Sequence, residues 1–143
     1  MNKKMLEKSF LSTQVEIEIP FHDCDPMQVV WHGNYARYLE VARCELLRKI
    51  DYDYLDMQRS GYCWPIVDLR LKYVGSARFT QKIIVQAFLV EYESRLKIEY
   101  IILCATSGAK LTKAYTVQVA VDLQNEEMQY ISPSIFTDKI LSL

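Results

Sequence analysis

The sequence predicts an α+β fold in which a five-stranded antiparallel sheet wraps around one central helix. Three observations predict it. Only one long segment, Asn34 to about Ile50, carries apolar residues at helical spacing. Most other apolar segments alternate residue by residue with polar ones, which is the period of a half-buried strand. The connections between the later strands are short, and short connections favour antiparallel pairing. At 143 residues, a single domain over 1–143 accommodates these elements around one core.

The elements follow in order. Met1 to Gln14 mixes lysines with single apolar residues and lacks the continuous apolar run of a signal peptide. Val15, Ile17 and Ile19 alternate with Glu16 and Glu18, a strand stopped by Pro20. In the helical segment Tyr35, Tyr38, Leu39, Ala42 and Leu46 form one apolar face, widened by Val41, Cys44, Leu47 and Ile50. Arg37, Arg43, Glu45, Arg48 and Lys49 form the narrower polar stripe. Asp51 to Gly61 reads as a polar connection with a short helical turn. Val67, Leu69, Leu71 and Tyr73 then alternate with charged residues, and Gly75-Ser76 marks a bend. Ile83 to Tyr92 fits a central strand. Leu96 to Cys104 alternates again, Thr106 to Lys110 reads as a hairpin loop, and Tyr115, Val117, Val119 and Val121 give the last strand. From Asn125 the chain reads as a turn with a short ending around Pro133.

One helix covers a sheet of this width only if the sheet curls around it. That arrangement is the hotdog architecture. Its outermost strands leave open edges, and pairing such edges between copies hides them, so a homodimer or homotetramer is expected.

Composition narrows the function classes. Seventeen basic against eighteen acidic residues give a net charge of −1, without the basic excess of a nucleic-acid binder. No run approaches the ~20 apolar residues that cross a bilayer. Cys24, Cys44, Cys63 and Cys104 form no C-x-x-C pair, and His22 and His32 are the only histidines, so no metal site is expected. Free thiols and a cytoplasmic location are the reading that follows.

The most informative stretch runs from Phe21 to Tyr35. Asp25 precedes Pro26 in a turn, and a His32-Gly33-Asn34 break leads into the helix. A carboxylate facing a helix start would pair a base or nucleophile with backbone N–H donors, the combination that chemistry on a carbonyl requires. Asp25 was therefore expected to point into a cleft. Asn34 is a natural N-cap. Arg78, after the Gly75-Ser76 bend, offers a cation for a phosphate or a solvated charge at an edge. Glu40 lies at ion-pair spacing from Arg37 and Arg43. Asp23 braces the turn. Tyr52, Tyr54 and Tyr62 line either a pocket or the core.

The run Asp23-Cys24-Asp25-Pro26, Val29-Val30-Trp31-His32, Asn34-Tyr35 and Tyr38 to Arg43 closely resembles the 4-hydroxybenzoyl-CoA thioesterase branch of hotdog proteins, which includes the acyl-CoA thioesterases of the Tol–Pal system. The resemblance extends over roughly residues 13 to 133. It implies an acyl-CoA thioesterase that needs no cofactor. Asp25 would be its catalytic carboxylate, and the backbone N–H of His32 would hold the thioester oxygen. Beyond the resemblance, the residues themselves make Gly33 and Asn34 at the helix start, and Arg78 after the bend, the candidate substrate contacts. The partner is acyl-CoA or an acyl carrier protein. Two departures stand out: Met27-Gln28 replaces the glycines common between the aspartate and the valines, and Gln81 replaces an acidic residue. A module that binds acyl-pantetheine without turnover is the alternative.

Overall fold

The computed structural model describes residues 1–143. In chain order its elements are α1 (Lys3–Lys8), β1 (Leu11–Glu18), α2 (Tyr35–Arg48), α3 (Tyr54–Arg59), β2 (Tyr62–Cys63), β3 (Ile66–Tyr73), β4 (Lys82–Glu91), β5 (Leu96–Cys104), β6 (Lys110–Gln118), β7 (Val121–Asp122) and α4 (Ser134–Leu141). Single 3₁₀ turns at Phe21–Asp23 and His32–Asn34 join β1 to α2. The main sheet has five antiparallel strands in the order β1-β4-β5-β6-β3, and β2 and β7 form a separate ribbon. The α+β hotdog layout read from the sequence is present.

The core explains the layout. Tyr35, Tyr38, Leu39, Ala42 and Leu46 of α2 are buried against Ile83, Val85, Ala87 and Leu89 of β4 and Leu96, Ile98, Tyr100 and Ile102 of β5. Burial of each large apolar side chain contributes about 1.5–3 kcal/mol. α2 packs on the β1–β4 half of the sheet. At the opposite edge β3 bonds only to β6, and Val67, Leu69 and Tyr73 stay 57%, 43% and 47% exposed.

The structure corrects several element expectations. Asn2 caps a short α1 whose residues are all outside the core. β1 begins at Leu11, four residues before Val15. β6 starts at Lys110, because the β5–β6 hairpin fixes its register from that end. Its Thr112, Ala114 and Thr116 pair with Ile102, Tyr100 and Ile98, which lie in the core. The apolar Tyr115 and Val117 therefore face the other side. Part of this inward polar set is bonded: the Tyr100 and Thr116 hydroxyls lie 2.8 Å apart, and the Gln118 side-chain N–H donates to the Trp64 carbonyl at 2.7 Å, whereas the buried Thr112 hydroxyl and Gln118 Oε1 have no protein partner. After Pro133 the chain forms α4, whose Phe136 is buried against Tyr52 and Trp64. Tyr52 is thereby a core residue. Arg43, placed by spacing on the polar stripe, is 2% exposed, bonded to Glu40 and Tyr54.

Candidate active site

Pro20 ends β1, and the chain then folds back as a narrow hairpin. The Asp25 N–H donates to the Val29 carbonyl and the Gln28 N–H to the Asp25 carbonyl, both at 2.9 Å. Cys24 pairs with Val30, and the Trp31 N–H donates to the Asp23 carbonyl at 3.0 Å. Asp25 and His32 thus lie on opposite strands of one hairpin. The Asp25 side chain is half-buried. Its Oδ1 accepts the Met27 N–H at 2.9 Å, the closure expected of Asp before Pro, and Oδ2 accepts no protein donor. Gln28 takes φ +66, the left-handed conformation that glycine adopts without strain.

The hairpin is pinned to α2 through Asp23. This buried carboxylate accepts the Tyr38 hydroxyl at 2.6 Å and a guanidinium N–H of Arg37, with His22 Nε2 at 3.6 Å. Burial alone would raise its pKa. The bonds from Tyr38 and Arg37 outweigh that and hold it below the usual carboxylate value. The same pair pushes the Tyr38 hydroxyl well above its ordinary range, burial being the larger cause.

α2 is entered through the His32–Asn34 turn. The backbone N–H groups of His32 and Gly33 donate to no protein acceptor. The His32 carbonyl accepts the Tyr73 hydroxyl at 2.8 Å, which ties the helix start to the end of β3. The His32 ring is exposed, 5.1 Å from the Trp31 ring. A Cβ on Gly33 would collide with that indole, so only glycine lets Trp31 lie over the helix start. Asn34 is not the side-chain N-cap expected. The lead-in turn gives it helical angles, and its amide instead donates to the Asp23 carbonyl at 2.9 Å, bracing the hairpin.

Arg78 lies beside the turn, bridged to Val29, with its N–H donating to the Gln81 side chain at 2.9 Å and its guanidinium exposed without an ion pair. The sequence candidates Asp25, His32, Gly33, Asn34 and Arg78 therefore gather in one region. Cavities of about 590, 440, 260 and 240 Å³ are lined by other residues, and the half-buried Asp25 lies at the surface of the single chain. That surface is apolar: Phe21, Met27, Trp31 and Phe79 are 72%, 78%, 52% and 45% exposed. Glu40 is held by Arg43, as its spacing indicated. The Cys24 thiol is pushed up by burial and by the charges of Asp23 and Asp25, which disfavours it as a nucleophile. The Arg37–Asp23–Tyr38 brace and the Tyr73 tie were missed, because their partners lie 14, 15 and 41 residues apart and no local spacing signals them.

Comparison with known proteins bears on the family and the fold. Residues 19–137 match the model of the thioesterase-like superfamily. The fold superposes on a DHNA-CoA thioesterase from Staphylococcus aureus with TM-score 0.80 and 27% identity, covering 92% of this chain and 89% of that one. It also superposes on a 4-hydroxybenzoyl-CoA thioesterase with TM-score 0.77, over 90% of this chain and 98% of the other; at 20% identity that likeness concerns the fold. A Bacillus subtilis protein named "Putative acyl-CoA thioesterase YneP" is 26% identical over 110 residues, 77% of this chain and 80% of its own length. The hotdog sheet, the aspartate turn at the helix start and the match over residues 19–137 lead to one assignment: the chain belongs to the thioesterase-like superfamily.

Proposed function

We propose that the protein hydrolyses acyl-CoA thioesters to a carboxylic acid and free CoA, with Asp25 and the start of α2 as its machinery. One observation carries the reading. A half-buried carboxylate with one unengaged oxygen shares a hairpin with two undonated backbone N–H groups at a helix start. A thioester carbonyl is electrophilic and its thiolate leaves readily, so no third catalytic group is required. Asp25 activates water or attacks directly, a role worth on the order of 10²–10⁴ in rate when it acts as base. The His32 N–H, with Gly33 beside it, receives the developing oxyanion. One such donor contributes about 3–4 kcal/mol, or roughly 10²–10³. Asn34 holds the loop in register, and Arg78 offers a cation to a substrate phosphate.

The exposed aromatic and apolar side chains around Asp25 favour an apolar or aromatic acyl group, in keeping with the aromatic acyl-CoAs named for two of the structural relatives. The finer branch, with the Tol–Pal-associated enzymes, rests on the Asp23-to-Arg43 motif. Four free cysteines favour a reducing, cytoplasmic setting. A second copy paired along β3 would wall off the open surface at Asp25.

Purified protein given short, long and aromatic acyl-CoAs is expected to release thiol from at least one class. The second reading, an acyl-pantetheine or carrier-protein binding module, is favoured by Gln28 standing in a glycine conformation beside the carboxylate. Binding across that panel without any turnover would establish it in place of the first.

A further inference from the structure

A cavity of about 590 Å³ lies away from Asp25, between α1 and the face of β5, β6 and β3 turned away from α2. Its walls carry Lys4, Lys8, Arg70, Lys72, Lys110 and Lys113. Glu99 is the single acidic residue there, and Lys8 already neutralises it at 2.8 Å. The other five cations make no ion pair. Strand register concentrates them: Lys72 lies directly opposite Lys113, and Arg70 opposite Tyr115. Like charges across a rung are destabilising. A chain of net charge −1 has gathered six of its seventeen basic residues here against one acidic residue, and five of them are uncompensated.

A polyanion would relieve that repulsion. The volume falls within the ~300–1,000 Å³ of small-molecule sites. Position narrows the choice. Lys72 adjoins Tyr73, whose hydroxyl holds the His32 carbonyl, and the N–H groups of Val74 and Gly75 bond to the Leu111 carbonyl next to Lys110. The basic groove therefore starts at the strand end that supports the proposed oxyanion donor. We propose that it docks the 3′-phosphorylated nucleotide end of coenzyme A, with the lysines and Arg70 on the phosphates. The identity of this occupant rests on the acyl-CoA reading above; the anion site itself does not.

The test is the triple variant Arg70→Gln, Lys72→Gln and Lys113→Gln, assayed with an acyl-CoA and with the same acyl group on pantetheine, which lacks the nucleotide. The expected result is a KM for acyl-CoA raised about tenfold, the ratio that 1.4 kcal/mol gives, with kcat and the kinetics on acyl-pantetheine unchanged. An unchanged KM for acyl-CoA, or an equal loss on both substrates, overturns the proposal. If the wild-type protein turns over no acyl-CoA, calorimetry with CoA and with dephospho-CoA still decides. Binding of CoA that weakens without the 3′-phosphate and is lost in the triple variant upholds the site although the catalytic reading has failed. No binding of CoA overturns it, as does loss of binding to anionic phospholipid vesicles while CoA binding is unaltered.

Discussion

At the scale of single residues, the turn that presents Asp25 is strained at one position and anchored at another. Gln28 occupies φ +66, where a side chain other than glycine costs about 1–2 kcal/mol. Gln28→Gly relieves that strain but loosens the unfolded chain by about 0.4–1 kcal/mol. A net gain of about 0.5–1 kcal/mol is expected in urea denaturation, and a loss of stability would mean that the Gln28 side chain makes a contribution not visible in its contacts. Asp23 is the anchor. Its pKa is held below the ordinary carboxylate value, so it favours the folded state above that value, and the contribution is lost as pH falls through the lower, folded-state pKa. Tyr38→Phe leaves the buried carboxylate short of a donor and is expected to lower stability at neutral pH by about 1–3 kcal/mol. Urea titrations of variant and wild type at pH 7 and pH 3 check this, and the gap should narrow at the lower pH. A constant gap would remove Asp23 ionisation from the account.

At the scale of elements, legibility followed exposure and length. The spacing of Tyr35, Tyr38, Leu39, Ala42 and Leu46 marked α2 because each of these is buried on one face. The capped turn at α3 was legible in the polar stretch before Gly61, where Asp53 and Asp56 form a reciprocal cap. α1 was not legible, since its six residues bury nothing. α4 was hidden because it packs only through Phe136 and Ile140, too few for a period. β6 showed its alternation but not its facing. The bonds of Thr116 to Tyr100 and of Gln118 to Trp64 let polar side chains turn inward, and a hydrophobicity pattern has no access to those partners. The β5–β6 hairpin carries a prediction of its own. The polar groups of Ser107, Gln81 and Thr106 around it lower the Cys104 thiol to about 6. At pH 7 it should be the first cysteine alkylated by iodoacetamide, with a rate profile half-maximal near pH 6. A profile centred at the ordinary thiol pKa would contradict that polar environment.

For the whole molecule, the decisive feature is an incomplete surface. β3 offers an unpaired edge, and beside it Val67, Leu69 and Tyr73 remain largely exposed, at the strand whose end supports His32. Such edges invite pairing with another chain. A dimer through β3 is expected by sedimentation at micromolar concentration, and Leu69→Lys should shift it toward monomer and lower activity in the same step. A monomeric wild-type protein with full activity would contradict that assembly. Asp25, His32, Gly33 and Asn34 could be read as candidates because they sit in one local motif, and Arg78 because it follows the Gly75-Ser76 bend.

The central claim is that Asp25, on the hairpin that leads into the undonated amides at the start of α2, performs the hydrolysis. Steady-state thiol release by Asp25→Asn, on the acyl-CoA that the wild-type enzyme turns over fastest, tests it most directly. The account predicts a kcat lower by on the order of 10²–10⁴, with urea stability unchanged. A variant that keeps wild-type turnover would contradict it.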